Sequence, residues 1–345
     1  MIISAIAIIL TFSIVVFVHE LGHFIIAKKC KVDVQAFSLG FGPELIGVTY
    51  KGTRFKVSLI PLGGYCKMKG ENIEDETARE DDSFMGQEPF RRIGILIAGP
   101  IMNFLTGMVI FAMLFYFIGV PEFVNKPVIG EVAADSPALE AGMQKGDRIL
   151  TVNGRKVKTW YELTEQIGEN SKSAISLKLQ RDNDIKTISV TPKYNSEIDR
   201  YLIGIAAPYE IKRLGFIESA WEGIRYTIVL CWRLVFALYL MIAGKMAAAV
   251  AGPVGIAQVV SSAASRGMGD LFHLIALISV NLGFINLFPI PILDGGHIIF
   301  ALWEKVKGQP LDPKKVNIAN IVGLSLLLSL LFFATWQDIV RNFIK

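Results

Sequence analysis

Four long apolar runs punctuate the chain, at 1–27, 93–119, 271–293 and 318–336. Each is close to the roughly 20 residues that a helix needs to cross the hydrocarbon of a bilayer, so the pattern predicts about four transmembrane helices. A fifth run, 224–244, is interrupted by Arg225 and Arg233 and preceded by Glu218 and Glu222. Such a segment spans, re-enters or lies along the interface, and hydropathy alone does not choose among the three. Between the first two runs, residues 28–92 are polar, and Phe55, Val57 and Leu59 alternate with Arg54, Lys56 and Ser58. That period of two predicts a short strand ending at Pro61. Residues 126–206 carry a third pattern, with β-like stretches at 128–132, 149–152, 175–179 and 188–190, a turn at Asn153-Gly154, and short helices at 137–142 and 160–168. The expected fold is an α-helical polytopic membrane protein with an inserted α+β domain.

Composition agrees with a bilayer as solvent. Of the 345 residues, 52% are hydrophobic and only 19% charged, with a mean hydropathy of +0.47, well beyond an ordinary soluble domain. The net charge of +4 suits basic cytoplasmic loops better than nucleic acid, since no basic stretch carries interleaved aromatics. Cys30, Cys66 and Cys231 are scattered and form no CxxC pair, so they read as reduced structural thiols. The first apolar run reads as a retained anchor rather than a signal peptide, because Lys28, Lys29 and Lys31 follow it instead of preceding it. Lys28, Lys29, Lys31, Arg91 and Arg92, with Lys305, Lys307, Lys314 and Lys315, place those flanks on the cytoplasmic side.

The chemistry concentrates in the first run, as His19-Glu20-Leu21-Gly22-His23. Residues four apart share a helix face, so two imidazoles converge on one Zn²⁺ while Glu20 stands where it can take a proton from water. The alternative is two buried histidines without a metal, but ionisable groups inside a membrane span are costly without a function. A catalytic zinc takes three protein ligands and leaves a fourth position open. Asp294 is the leading third ligand, because Pro289 and Pro291 interrupt the helix before it while Gly295 and Gly296 allow close backbone approach. His297, a turn further on, is its rival, and a plain helix cap is the other reading of Asp294.

HExxH in the first span, with Asn286-Leu-Phe-Pro-Ile-Pro-Ile-Leu-Asp294-Gly295 in a later one, resembles the site-2 protease family of intramembrane metalloproteases. Within it, the chain looks like the bacterial branch that cleaves anti-sigma factors and carries PDZ domains. The resemblance implies His19, His23 and Asp294 as zinc ligands, Glu20 as general base, and Asn286 beside the substrate strand. Gly40-Phe41-Gly42-Pro43 resembles a membrane-associated, re-entrant β-loop, and Ala98-Gly99-Pro100-Ile-Met-Asn103 is a further family-like mark, so Gly40, Phe41, Gly42 and Asn103 join Asn286 as candidate substrate-binding residues. Ser136-Pro137-Ala138, Ala141-Gly142-Met143 and 145–149 resemble a PDZ domain, with another small β-rich domain as the alternative. There is room for one such domain, where the best-known members of this branch carry two.

The expected domains are 1–119, the first half of the protease core; 120–207, an extracytoplasmic PDZ-like domain; 208–268, an amphipathic interfacial region; and 269–345, the second half of the core. His19 and Asp294 meet only if the first and third spans run in the same direction. An even number of crossings must then separate 119 from 271, so 224–244 is interfacial or pairs with 245–268 as a hairpin, and Gly252-Pro253-Val254-Gly255, which breaks a second arm, favours the interfacial reading. Both termini and the insertion lie outside the bacterial inner membrane, and the zinc lies toward the cytoplasm. The implied activity is hydrolysis of single-span membrane proteins already trimmed by another protease. Clearance of remnant signal peptides and a non-catalytic PDZ scaffold are the other readings.

Overall fold

The computed structural model describes residues 2–72, 75–169, 173–195, 200–245 and 252–340. They divide into two compact units, one made of residues up to Phe117 together with those from Gly215, the other of Ile118–Leu214.

The first unit is a helical bundle with one sheet. Its helices are α1 (Ile2–Lys29), α2 (Pro89–Phe117), and, after the second unit, α5 (Phe216–Ile242), α6 (Pro253–Arg266), α7 (Met268–Asn286), α8 (Asp294–Lys307) and α9 (Pro313–Ile339). Five of these, α1, α2, α5, α7 and α9, are long and apolar enough to cross a membrane. The count therefore rises from four candidates to five. Arg225 does not interrupt α5, because it lies on the helix surface and pairs with Glu222 one turn back. The third apolar run also divides: α7 ends at Asn286, and 287–293 form a loop before α8. Pro289 and Pro291 cannot donate backbone N–H groups to a continuing helix.

Residue pairs fix the helix directions. Along α1 and α2, His19 meets Asn103 and His23 meets Ile95, so the two are antiparallel. Along α2 and α7, Phe111 packs on His273, Gly107 on Val280, and the Pro100 carbonyl beside Gly283, so these are antiparallel too. It follows that α1 and α7 are parallel, the relation needed to bring their ends to one site.

The sheet is made of β1 (Val34–Tyr50) and β2 (Thr53–Met68), each folded so that it contributes more than one row. Residues 54–57 pair on one side with 46–49 and on the other with 36–39, and 36–39 pair in turn with 64–67. The predicted short strand is thus the start of a longer one that continues beyond Pro61. Proline is tolerated because 61–63 fall at a register shift, where no ladder N–H is required. Gly40, at φ 90°, helps β1 turn there, in a conformation that a side chain disfavours.

The second unit contains β3 (Val120–Phe123), β4 (Glu131–Val132), α3 (Pro137–Glu140), β5 (Arg148–Val152), β6 (Arg155–Lys156), α4 (Trp160–Glu169), β7 (Ile175–Arg181), β8 (Asp184–Val190), β9 (Lys193–Asn195), β10 (Arg200–Leu202), β11 (Ile205–Ala206) and β12 (Tyr209–Lys212). A four-stranded sheet in the order β6-β5-β7-β8 packs inward-facing Ile149, Val152, Ile175, Leu177 and Leu179 against Trp160, Leu163 and Ile167 of α4. The alternating burial along β7 is the period-two signal read in the sequence. The unit extends past the expected limit of 207, because β12 pairs antiparallel with β3 at its start. Of the region assigned to 208–268, residues 246–251 lie outside those described.

Candidate active site

Three elements converge on the HExxH face of α1. His19 and His23, one turn apart and both buried, turn their Nε2 atoms toward each other at 3.2 Å. Residues Ile95, Gly99 and Asn103 of α2, spaced by four and hence on one face, meet them. His23 Nδ1 donates to the Ile95 carbonyl at 2.8 Å, which leaves its Nε2 lone pair for a metal. The Asn103 amide lies 3.1 Å from His19 Nδ1. A half-turn of that amide, which moves no heavy-atom position, presents its oxygen to an Nδ1–H and leaves Nε2 bare in the same way. Gly99 makes room for both rings, since a Cβ there would lie 2.3 Å from His23 Nε2 and 2.8 Å from His19 Cε1.

The third element is the α7–α8 junction. Asp294 is the first residue of α8, yet the N-cap position belongs to Leu293. Asp294 instead reaches the histidines, with Oδ2 3.2 Å from His19 Nε2 and Oδ1 3.6 Å from His23 Nε2. The loop before it is tight: Ile292 is held at φ 80°, rare for a β-branched residue. Gly295 and Gly296 lie where a Cβ would press within 2.2 Å and 2.3 Å of the Phe288 and Ile290 carbonyl oxygens.

The arrangement fits zinc. Bonds of about 2.1 Å in a tetrahedron imply ligand-to-ligand edges of about 3.4 Å; the two Nε2 atoms are 3.2 Å apart, and the carboxylate approaches them through different oxygens, Oδ2 at 3.2 Å from His19 and Oδ1 at 3.6 Å from His23, so all three groups reach one ion. The donor set agrees: two imidazole nitrogens and a carboxylate face one another, and Asp294 Oδ2 is buried with no hydrogen-bond partner among the described residues. A shared cation resolves that convergence of lone pairs.

These residues open onto a cavity of about 880 Å³, lined also by Glu20, Asn286 and His297. Asn286 Nδ2 is 3.4 Å from His19 Nε2. His297 packs edge-on against Phe300 and lies outside the three-residue cluster. Asn103 does not face the cavity: it is fully buried, with its side-chain amide between His19 Nδ1 at 3.1 Å and Ser279 Oγ at 3.4 Å. Gly40, Phe41 and Gly42 are not brought to the site either. Phe41 stacks on Tyr65, and Gly63 lies against the Phe41 ring.

The strand beside the site is the end of β2. Tyr65, Cys66, Lys67 and Met68 line the cavity, and no strand pairs with the outer edge of this row among the described residues. The Met68 N–H donates to Glu71 Oε2 at 3.4 Å. Residues 54–57, within the strand that the alternation predicts, are by contrast paired on both sides. Burial, followed by the nearby Glu20 charge, pushes the Glu71 carboxyl above its ordinary range.

The chain matches the model of Peptidase family M50 over residues 7–330. It belongs to peptidase family M50. This bears out the resemblance to the site-2 proteases, and as a member of that family the chain is a multi-pass membrane metalloprotease. Among its M50 relatives, a protein of Clostridium acetobutylicum named a zinc metalloprotease is 37% identical over 333 residues, covering 96% of each chain. The regulator of sigma-W protease RasP of Bacillus subtilis is 29% identical over 420 residues, covering 99% of each. Among solved structures, the PDZ domain of an SdrC-like protein from Listeria monocytogenes matches 26% of this chain and 93% of its own, at 17% identity and a TM-score of 0.23.

Two features of this M50 site were not read from the sequence. One is the service that α2 gives through a backbone carbonyl, which carries no residue signature. The other is the end of β2 as the wall of the cavity. Spacing offered a signal for the first, since Ile95, Gly99 and Asn103 repeat at four-residue intervals.

Proposed function

We propose that the chain is an intramembrane zinc endopeptidase in which His19, His23 and Asp294 hold the metal, Glu20 is the general base and His297 is not a ligand. The observation that carries this reading is the meeting of two imidazole Nε2 atoms and a carboxylate within reach of one ion, with Glu20 on the cavity beside them. When bound, zinc supplies a Lewis acid that polarises the scissile carbonyl and acidifies water. Glu20 takes the proton of the attacking water and delivers it to the leaving nitrogen. Asn103 and the Ile95 carbonyl are positioning groups that fix the two imidazoles.

The substrates are single-span membrane proteins pre-trimmed by another protease, a reading in keeping with the RasP relative's name as a regulator of sigma-W protease. A transmembrane helix hides its carbonyls, so the substrate must be extended before attack. The outer edge of 65–68 favours docking by strand addition, with Asn286 beside the bound backbone. Exposed Phe41, Leu45, Ile46, Val48, Leu59 and Ile60 on the same sheet favour its immersion in the bilayer. The insertion is taken as a PDZ-like domain outside the bacterial inner membrane, with the zinc toward the cytoplasm.

The test is a set of three variants in purified full-length protein. Glu20→Gln should bind zinc normally and lose proteolysis of a transmembrane substrate, whereas Asp294→Ala should lose most of its zinc and His297→Ala should keep it. An active Glu20→Gln, or zinc lost from His297→Ala and retained in Asp294→Ala, would overturn these assignments.

A further inference from the structure

Both histidines are oriented by α2, one through the Ile95 carbonyl and one through Asn103. Metal-bound groups are normally fixed by such outer partners. Asp294 meets only the two histidines with its carboxylate, through Oδ2 and Oδ1, and among the described residues has no outer partner of this kind. Its carboxylate must take its position from α8 as a whole. The loop that leads into α8 contains two prolines, a strained Ile292 and, just after it, two glycines packed against backbone, so the direction of α8 needs a second point of attachment.

That attachment is on α2. Arg92, buried at the start of α2, places Nη2 2.5 Å from Glu304 Oε2 on α8, a contact of opposite charges without hydrogen-bond alignment. Next to this pair, Lys305 of α8 lies 5.1 Å over the Phe90 ring of α2. Glu304 lies ten residues beyond Asp294, about 15 Å along the helix, so a small swing at the ion pair changes the direction of the whole element. Arg92 is in turn two helical turns from Gly99, against which the histidines pack. We propose that the Arg92–Glu304 ion pair is a positioning device for the third zinc ligand. It sets α8 against α2, the same helix that orients the two histidines, so all three ligands are referred to one scaffold. This rests on the reading of Asp294 as a ligand, and neither Arg92 nor Glu304 is given a part in the chemistry.

The experiment measures zinc affinity by chelator competition on purified full-length protein, together with kcat and KM on a transmembrane substrate. The variants are Arg92→Gln, Glu304→Gln and the exchanged double variant Arg92→Glu with Glu304→Arg. Each single variant should weaken zinc binding by about 10- to 100-fold and lower kcat with little change in KM, while the exchange restores both toward the parent. Removing one member of a buried pair also destabilises the fold; affinity is therefore read on the folded fraction isolated by size exclusion, and the exchanged variant retains both charges. Normal zinc affinity in the folded single variants would overturn the proposal, as would an exchanged variant as weak as the singles. If the parent binds zinc and Asp294→Ala binds it equally well, the ligand assignment has failed; if Asp294→Ala loses zinc and the Arg92 and Glu304 variants do not, only the positioning role has.

Discussion

At the scale of single residues, the site depends as much on an absent side chain as on the ligands. A methyl group at Gly99 would overlap the His23 ring nitrogen and crowd His19, and neither backbone nor imidazole can withdraw without giving up the Ile95 or Asn103 contact. Gly99→Ala should therefore lose zinc and activity together. Gly94, five residues earlier on the same helix, has nothing within 4 Å of its would-be Cβ. Gly94→Ala should keep zinc and stabilise the helix by at most about 1 kcal/mol. Equal zinc loss in both variants, measured by metal analysis, would show that α2 tolerates no change rather than that Gly99 makes room. In the second unit, buried Asp147 receives Nε and Nη2 of Arg181, each at 2.8 Å, and the Gln144 N–H at 2.9 Å. Burial raises its carboxyl pKa, but these donors outweigh burial and hold it below the ordinary value. A depressed folded pKa means that the stabilisation is present above the unfolded value of about 3.9 and is lost as pH falls through the lower folded value. Asp147→Asn should make the insertion more protease-sensitive at neutral pH and should reduce the further sensitivity that the parent gains on acidification below about pH 4.

At the scale of elements, legibility followed the range of the signal. The pairing of His19 with His23 is written in a four-residue spacing, and the break before Asp294 in two prolines, so both were readable. The continuation of β2 beyond Pro61 was not, because it depends on a register shift that only the partner strand reveals. Asn103 was marked as notable but assigned to substrate, since the sequence does not say which way a polar residue in an apolar helix faces. The tie between Arg92 and Glu304 joins positions far apart in the chain and leaves no local pattern. The same holds for α6, whose N-terminus is anchored by another helix: Asp338 of α9 accepts the Gly255 N–H at 2.7 Å, and Gly252 packs against Ala334 and Asp338. Asp338→Ala leaves that N–H without its acceptor, at a cost of roughly 1–3 kcal/mol. The start of α6 should loosen, with faster tryptic cleavage after Arg266 and no change in zinc content. Unchanged cleavage would show that packing alone seats α6.

At the scale of the whole chain, the decisive question is what α5 does, because one further crossing would change the side on which everything after it lies. Its first half runs antiparallel along α2, with Phe216 against Tyr116, Gly223 beside Met108 and Ala112, and Tyr226 against Phe111. Ser219, Gly223 and Thr227 form its one buried face. Beyond Thr227 no residue of the helix is buried, and Trp232 and Ile242 are 71% and 87% exposed. Meanwhile α6 is tied to the amino-terminal end of α1 through Ser261 and Ser4, 2.8 Å apart. If α5 crossed completely, the ten residues from 243 to 252 would have to recross about 30 Å of hydrocarbon, nearly their full extended reach of about 33–36 Å. A second half that leaves the bundle obliquely after Thr227 and does not reach the cytoplasmic face needs no such recrossing. In a background with Cys30, Cys66 and Cys231 changed to serine, Lys126→Cys, Arg200→Cys, Lys245→Cys and Ser262→Cys should therefore react with an impermeant thiol reagent from outside, and Pro310→Cys only from the cytoplasm. Cytoplasmic reaction at 245 with outer reaction at 262 would mean that α5 spans and an extended segment recrosses. Cytoplasmic reaction at 262 as well would set α6 and the amino-terminal end of α1 on the inner side, and the orientation assigned from the basic loops would be reversed.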